Sequence, residues 1–123
     1  MTLSLSEVFT VLDQSTIDAA IAFRRARDWE QFHSPRNLAI AIVVESAELL
    51  EHFQWMKEGE QRPAEAHREA VEMEMADIAM LLTYLATDLG VDMNAAVSHK
   101  LAINETRYPV EKARGSSAKY DEL

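Results

Sequence analysis

The sequence predicts an all-α domain built from four main helices, and three observations carry that expectation. Three glycines and three prolines in 123 residues leave little material for the tight turns of a β fold. Apolar residues recur at three- and four-residue spacing over long stretches, which is the period of a helix face. Cap-forming residues or helix breakers stand at the ends of four such stretches. The length fits one domain.

Residues 1–14 are weakly patterned, with a short helix expected from Ser6. Ser15 or Thr16 can cap a first helix reaching about Asp28, with Ile17, Ile21 and Phe23 among its inward positions. The segment WEQFHSPRN follows, with Ser34 placed as a cap and Pro35 in the first turn of a second helix running to about Lys57. Gly59 and Pro63 mark the next break. A third helix is expected from about Ala64 to Leu89, ended by Gly90 in a left-handed conformation. Asp92 can cap a fourth that reaches Tyr108, where Pro109 stops it. The tail VEKARGSSAKYDEL is polar and rich in small residues, so the expected division is a helical domain over residues 1–109 and a flexible tail over 110–123.

Composition narrows the function. The formal net charge is −9, which argues against a nucleic-acid polymer as partner, since such binding rests on Lys and Arg neutralising phosphates. No stretch reaches the roughly 18 continuous apolar residues of a membrane span. MTLSLSEVF has no basic n-region, so no signal peptide is expected. There is no cysteine to form disulfides or supply thiolates, and a cytoplasmic setting is the expectation.

The second helix holds the first chemical signal. Leu38, Ile42, Leu49, Phe53 and Met56 form one apolar stripe, and Ala41, Glu45, Glu48, His52 and Trp55 run beside it. Two like charges three residues apart repel, and the cost rises when they are desolvated. An isolated ExxE usually marks the edge of a solvated face. The third helix repeats the pattern, however: Glu74 and Asp77 sit among Met73, Ala76, Met80 and Leu81. Two adjacent antiparallel helices would aim four carboxylates at one spot. An all-oxygen donor set suits Mg²⁺ or Mn²⁺ rather than zinc, and Mg²⁺ held this way commonly shares its shell with substrate phosphates. A phosphate-bearing substrate is therefore expected.

On the fourth helix Lys100, Asn104 and Arg107 share a face and could meet phosphate oxygens, although such stripes are more often solvated or paired with nearby Glu. Trp29 and Trp55 offer ring faces to a base, although buried tryptophan is more often core.

These segments resemble a known family. Glu45-xx-Glu48 followed by Glu74-xx-Asp77 is similar to the metal signature of the MazG-like, all-α NTP pyrophosphohydrolases. Within that superfamily, RDWEQFHSPRNL (27–38), ELLEHFQW (48–55), KLAINETRYP (100–109) and SSAKY (116–120) look like the segments of its dCTP-pyrophosphatase members. The resemblance implies a four-helix fold, a homotetramer with sites between subunits, and Glu45, Glu48, Glu74 and Asp77 as Mg²⁺ ligands. It implies Trp29, His33 and Trp55 around the nucleoside, and Lys100 and Asn104 near phosphate or sugar. There are departures. Val44 stands where the wider superfamily often has a first Glu, Leu81 stands where some members carry Tyr, and DAAIAF lacks a His that some members have.

The expected activity is Mg²⁺-dependent cleavage of a dNTP, dCTP or a modified dCTP foremost, to dNMP and pyrophosphate, clearing unwanted nucleotides from the pool. Glu45 or Glu48 would take the proton of the attacking water, and Lys100 and Arg107 would meet charge on the leaving group. Ile40, Val43, Val44, Met80, Leu82 and Leu85 spread apolar surface over second faces, which also predicts covering by neighbouring subunits. Gly115 to Tyr120 would close over a site and bring Lys119 to the phosphates. Two other readings compete. A di-iron carboxylate bundle needs Glu-x-x-His on two helices, and only Glu30–His33 matches. The other is a non-enzymatic acidic helical interaction module, which has no reason to gain stability from Mg²⁺.

Overall fold

The computed structural model describes residues 11–123, and helices and turns account for the regular structure there, with no strand. The all-α class therefore holds among the described residues. The helix expected from Ser6 begins outside them.

Helix α1 spans Gln14–Ala26. Its cap is Asp13 rather than Ser15 or Thr16: Asp13 Oδ1 accepts from the Thr16 amide at 2.8 Å and from Ser15 Oγ at 2.9 Å. A carboxylate at this position satisfies a free amide and also faces the positive end of the helix dipole, which a hydroxyl cannot do with full charge. Asp28 does not extend α1. Its φ of 53° is left-handed, a conformation Asp tolerates better than most residues, and it turns the chain into a 3₁₀ turn, Trp29–Phe32.

Helix α2 spans Pro35–Glu51. Ser34 Oγ accepts from the Asn37 amide at 3.1 Å, as its position predicted. The helix stops six residues short of Lys57. The His52 and Phe53 amides bond to Leu49 and Leu50 carbonyls, the tighter i→i+3 pattern of a closing turn. The apolar period runs on through Phe53 and Met56, so spacing alone overstates the length.

A 3₁₀ turn, Glu65–His67, leads into α3, Arg68–Leu89. Gly90, at φ 65°, ends α3 in the left-handed conformation a side chain would strain. Helix α4 spans Met93–Arg107, with Asp92 Oδ1 accepting from the Ala95 amide at 3.1 Å. After Pro109 a single turn, α5, covers Val110–Ala113, and a 3₁₀ turn covers Tyr120–Glu122.

The chain divides into two compact units, one ending at Leu89 and one comprising Gly90–Leu123. The boundary expected after Pro109 falls inside the second. In that unit the tail contacts the end of α4: the Arg107 guanidinium lies over the Tyr120 ring at 4.6 Å, and Tyr108 meets the same ring edge-on at 6.2 Å.

In the first unit α2 packs along α3. Glu45 and Glu48 meet Glu74, while His52, later in the chain, reaches back to His67 with 3.3 Å between their Nδ1 atoms. Rising numbers on one side meet falling numbers on the other, so the pair is antiparallel. Helix α1 runs alongside α3 in the same direction: Ala20 meets Tyr84 and Arg24 meets Asp88. Leu38 and Tyr84 are buried between these helices at 1% and 3% exposure. Arg24 is equally buried, at 2%, and its guanidinium grips Asp88 through two bonds of 2.8 and 2.7 Å. A buried arginine is tolerated only with such a partner. The guanidinium in turn holds the Asp88 carboxyl below its ordinary 3.8.

Removing that partner strands a charge. Asp88→Ala is expected to lose about 3 kcal/mol of stability at neutral pH, read by urea denaturation. Because the Asp88 pKa is lowered on folding, its contribution is present above the ordinary carboxylate value and is lost as pH falls through the lowered one. The difference between variant and parent should therefore shrink below about pH 3.8. A constant difference at all pH values would assign the loss to packing alone.

Candidate functional site

The antiparallel pairing of α2 and α3 brings three carboxylates together. One oxygen each from Glu45, Glu48 and Glu74 lie within 4.8 Å of one another. Glu45 and Glu48 are a turn apart on α2, and Glu74 faces them from α3. Asp77, one turn along from Glu74, is not in this tight group, but its charge reaches Glu45.

Like charges this close disfavour joint ionisation. The neighbouring Glu74 carboxyl, able to share a proton, pushes the Glu45 pKa up, and burial adds to it. Glu48 is pushed up by Glu45 in the same way, first through a shared proton and then through its charge. Glu45 Oε2 and Glu74 Oε2 are both buried without a hydrogen-bond partner among the described residues. Carboxylate oxygens left so are costly, and a cation is the group that would satisfy both. The donors are all oxygen, which fits a hard divalent ion of the Mg²⁺ or Mn²⁺ kind.

Beside the cluster is a cavity of about 190 Å³. Glu45 and Asp77 line it together with an aromatic set, Phe23, Trp29, His33 and Tyr84. Met80 and Leu81 complete the lining. The rings brace one another. Phe23 and Trp29 meet edge-on at 5.5 Å, Trp29 and His33 at 6.4 Å, and His33 stacks on Tyr84 at 5.6 Å with 25° between the planes. Burial lowers the His33 pKa, and the nearby Arg24 charge lowers it further while Asp88 opposes. The neutral imidazole is thereby favoured.

Trp29 and His33, expected at the nucleoside, are both on this cavity. Trp55 is not. It sits in the turns after α2 and is 85% exposed. Lys100, Asn104 and Arg107 belong to α4 in the second unit. Arg107 lies over Tyr120 there. Neither Tyr84 on this cavity nor the Arg24–Asp88 pair behind it is signalled by the sequence. These partners stand 64 positions apart, so no local spacing could have joined them.

Fold and cluster together define a class: an all-α protein with a three-carboxylate cluster, able to hold a cation, on two antiparallel helices beside an aromatic pocket. Residues 40–123 match the MazG-like family. A human protein named dCTP pyrophosphatase 1 is 47% identical over 104 residues, covering 82% of this chain and 61% of its own length. Its rat counterpart is 44% identical over the same shares. The chain thus spans about three-fifths of the length of the curated relatives it matches. The crystal structure of a pyrophosphatase from Archaeoglobus fulgidus superposes with a TM-score of 0.73 at 36% identity, covering 78% of this chain and 91% of that one. The chain belongs to the MazG-like family.

The raised carboxylate pKa values carry a sign that can be measured. A group whose pKa rises on folding supports the fold below its unfolded value, and that support is lost as pH climbs through the folded one. Without divalent metal, the melting temperature should therefore fall as pH rises from about 4.5, the ordinary value for Glu45 and Glu48. Millimolar Mg²⁺ should flatten that decline and raise the melting temperature at pH 7. Fluorimetric melts with Mg²⁺ and with EDTA check this; indifference to Mg²⁺ at every pH would remove the cation from the site.

Proposed function

We propose that the chain is a Mg²⁺-dependent nucleoside triphosphate pyrophosphohydrolase acting on a dNTP, with dCTP or a modified dCTP as its substrate. The observation that carries this reading is the three-carboxylate cluster at the edge of an aromatic-lined cavity. A charged end and a stacking end, side by side, match a molecule that has a polyphosphate at one end and a flat base at the other. The relatives named for dCTP and pyrophosphate chemistry support the same choice.

In this reading Glu45, Glu48, Glu74 and Asp77 hold the metal. A bound Mg²⁺ would neutralise phosphate charge and make the attacking water more acidic. Glu45 or Glu48 accepts a proton from that water as its oxygen bonds to the α-phosphorus. The α–β phosphoanhydride breaks, leaving dNMP and pyrophosphate. Lys100 and Arg107 meet the charge on the departing pyrophosphate, with Asn104 beside the phosphate or sugar. Trp29 and His33 flank the base, and Trp55 completes that enclosure. The neutral state of His33 favours hydrogen bonding to a base over attraction to phosphate.

The working form in this reading is a homotetramer with sites between subunits. Val43 and Leu50 on α2 are 68% and 65% exposed, and Met73 and Met75 on α3 are more than half exposed. So much apolar surface on the two helices that carry the carboxylates supports a second layer against them. The same arrangement would let the exposed Trp55 serve a neighbouring subunit's site. The setting is the cytoplasm, where the enzyme would clear nucleotides from the pool. Among the described residues no helix is long and apolar enough to cross a membrane.

A panel of the common dNTPs and NTPs with Mg²⁺, scored for pyrophosphate against orthophosphate, tests the activity. Glu48→Gln keeps shape and removes a ligand charge, so turnover should fall at least ~10²-fold, about 2.7 kcal/mol of barrier. Near-normal turnover would dismiss Glu48 as a ligand. Light scattering of the purified chain should give four times the chain mass of 13.9 kDa, and a monomer would refute the assembly.

A further inference from the structure

The structure assigns Tyr84 a role beyond core packing: we propose that it is a specificity-determining residue, its locked ring forming the inner wall that fixes how large a base the pocket admits beside His33. The inference rests on the nucleotide reading above.

Tyr84 is 3% exposed, yet it lines the cavity. A buried ring that still faces a pocket presents one surface and hides the rest. Three contacts decide which surface. The hydroxyl donates to the Ala20 carbonyl of α1 at 2.9 Å. Burial holds the phenol above its ordinary 10.0, so it stays a donor. The Arg24 guanidinium lies over the ring, 4.5 Å from its centre. His33 stacks on it with 25° between planes. The ring is therefore fixed at its tip and across its surface, and its one polar atom is spent on backbone rather than offered to a ligand.

Arg24 is itself fixed, by its two bonds to Asp88. Replacing a buried ion pair by apolar side chains of similar volume is often neutral or stabilising. Stability alone thus gives little reason to place a guanidinium behind this ring, whereas a rigid wall does. The wall encloses little space. At about 190 Å³ the cavity is small beside ligand pockets, which run to roughly 300–1,000 Å³. It has room for a single ring system, with the triphosphate lying towards Glu45 and Asp77. His33 Nδ1 is buried without a partner among the described residues and is a polar atom able to meet the edge of that ring. A two-ring base seated as deeply would press on Tyr84, whose three contacts oppose displacement.

The test is the selectivity ratio, kcat/KM for dCTP over kcat/KM for dGTP, in Tyr84→Leu and Tyr84→Phe. The leucine variant deepens the pocket and should lower the ratio at least tenfold, chiefly by improving dGTP, with pyrophosphate still the product. The phenylalanine variant keeps the core filled and loses only the tether to Ala20, so the ratio should drop about threefold. It remains informative if the leucine variant fails to fold, which a thermal melt reveals. A ratio within twofold of the parent in every folded variant overturns the role of Tyr84 while leaving the activity standing. A parent that releases no pyrophosphate from any nucleotide overturns the functional reading instead, and this inference with it.

Discussion

Three carboxylates held within 4.8 Å set the constraint on which the first unit depends. A helical protein free to choose would not bury Glu45 Oε2 and Glu74 Oε2 without hydrogen-bond partners, because burial of such oxygens is costly. The antiparallel packing of α2 on α3 enforces it. The apolar stripe that runs through Leu38 fixes the rotation of α2, and the positions beside that stripe are those of Glu45 and Glu48. Hydrophobic burial thus drives a like-charge cluster together, and the cluster stores the repulsion as raised carboxylate pKa values. A bound divalent ion would release it. Metal affinity and metal-free instability would in this sense be one quantity seen from two sides.

The pocket follows from the same packing. Because α1 runs beside α3, the end of α1 and the WEQFH turn fold over the segment holding Met80, Leu81 and Tyr84. That places aromatic rings next to the carboxylates without any loop having to cross the protein. The Arg24–Asp88 pair secures the arrangement from behind. It links α1 to α3 by bidentate, charge-assisted bonds, a stronger and more directional tie than apolar contact. The carboxylate cluster and the pocket therefore share α3 as a common wall, and a shift of that helix would disturb both.

What the sequence made legible divides by distance along the chain. Ser34 and Asp92 cap helices where they were expected, and Gly90 ends one, because caps and left-handed stops are chemistry within three residues. The meeting of Glu45 and Glu48 with Glu74 was legible for a related reason: each spacing is local, and only the adjacency of two helices had to be assumed. Asp13 was overlooked as a cap since two hydroxyl residues follow it at once. The end of α2 was misplaced because apolar spacing continues into turns. Tyr84 and the Arg24–Asp88 pair were not legible at all. A buried arginine in a run of charged residues, RRARD, resembles a solvated stretch until a carboxylate 64 positions away is brought against it.

Burial in this chain is sparse, and that bears on how its parts cooperate. Leu38, Tyr84, Ala86 and Arg24 are the buried residues among the described ones, and one of the four is charged. A core this thin gives few kilocalories to set against chain entropy. The apolar residues left outside it, Val43, Leu50, Met73 and Met75 among them, lie on the two helices that also carry the carboxylates. Covering those faces would add burial to the same pair of helices that a cation would relieve of repulsion. Subunit contact and metal binding would then stabilise a single element, the α2–α3 pair, from its outer and inner sides. Each would favour the geometry that the other needs, and assembly and ion binding would then be coupled through helix packing without any moving part.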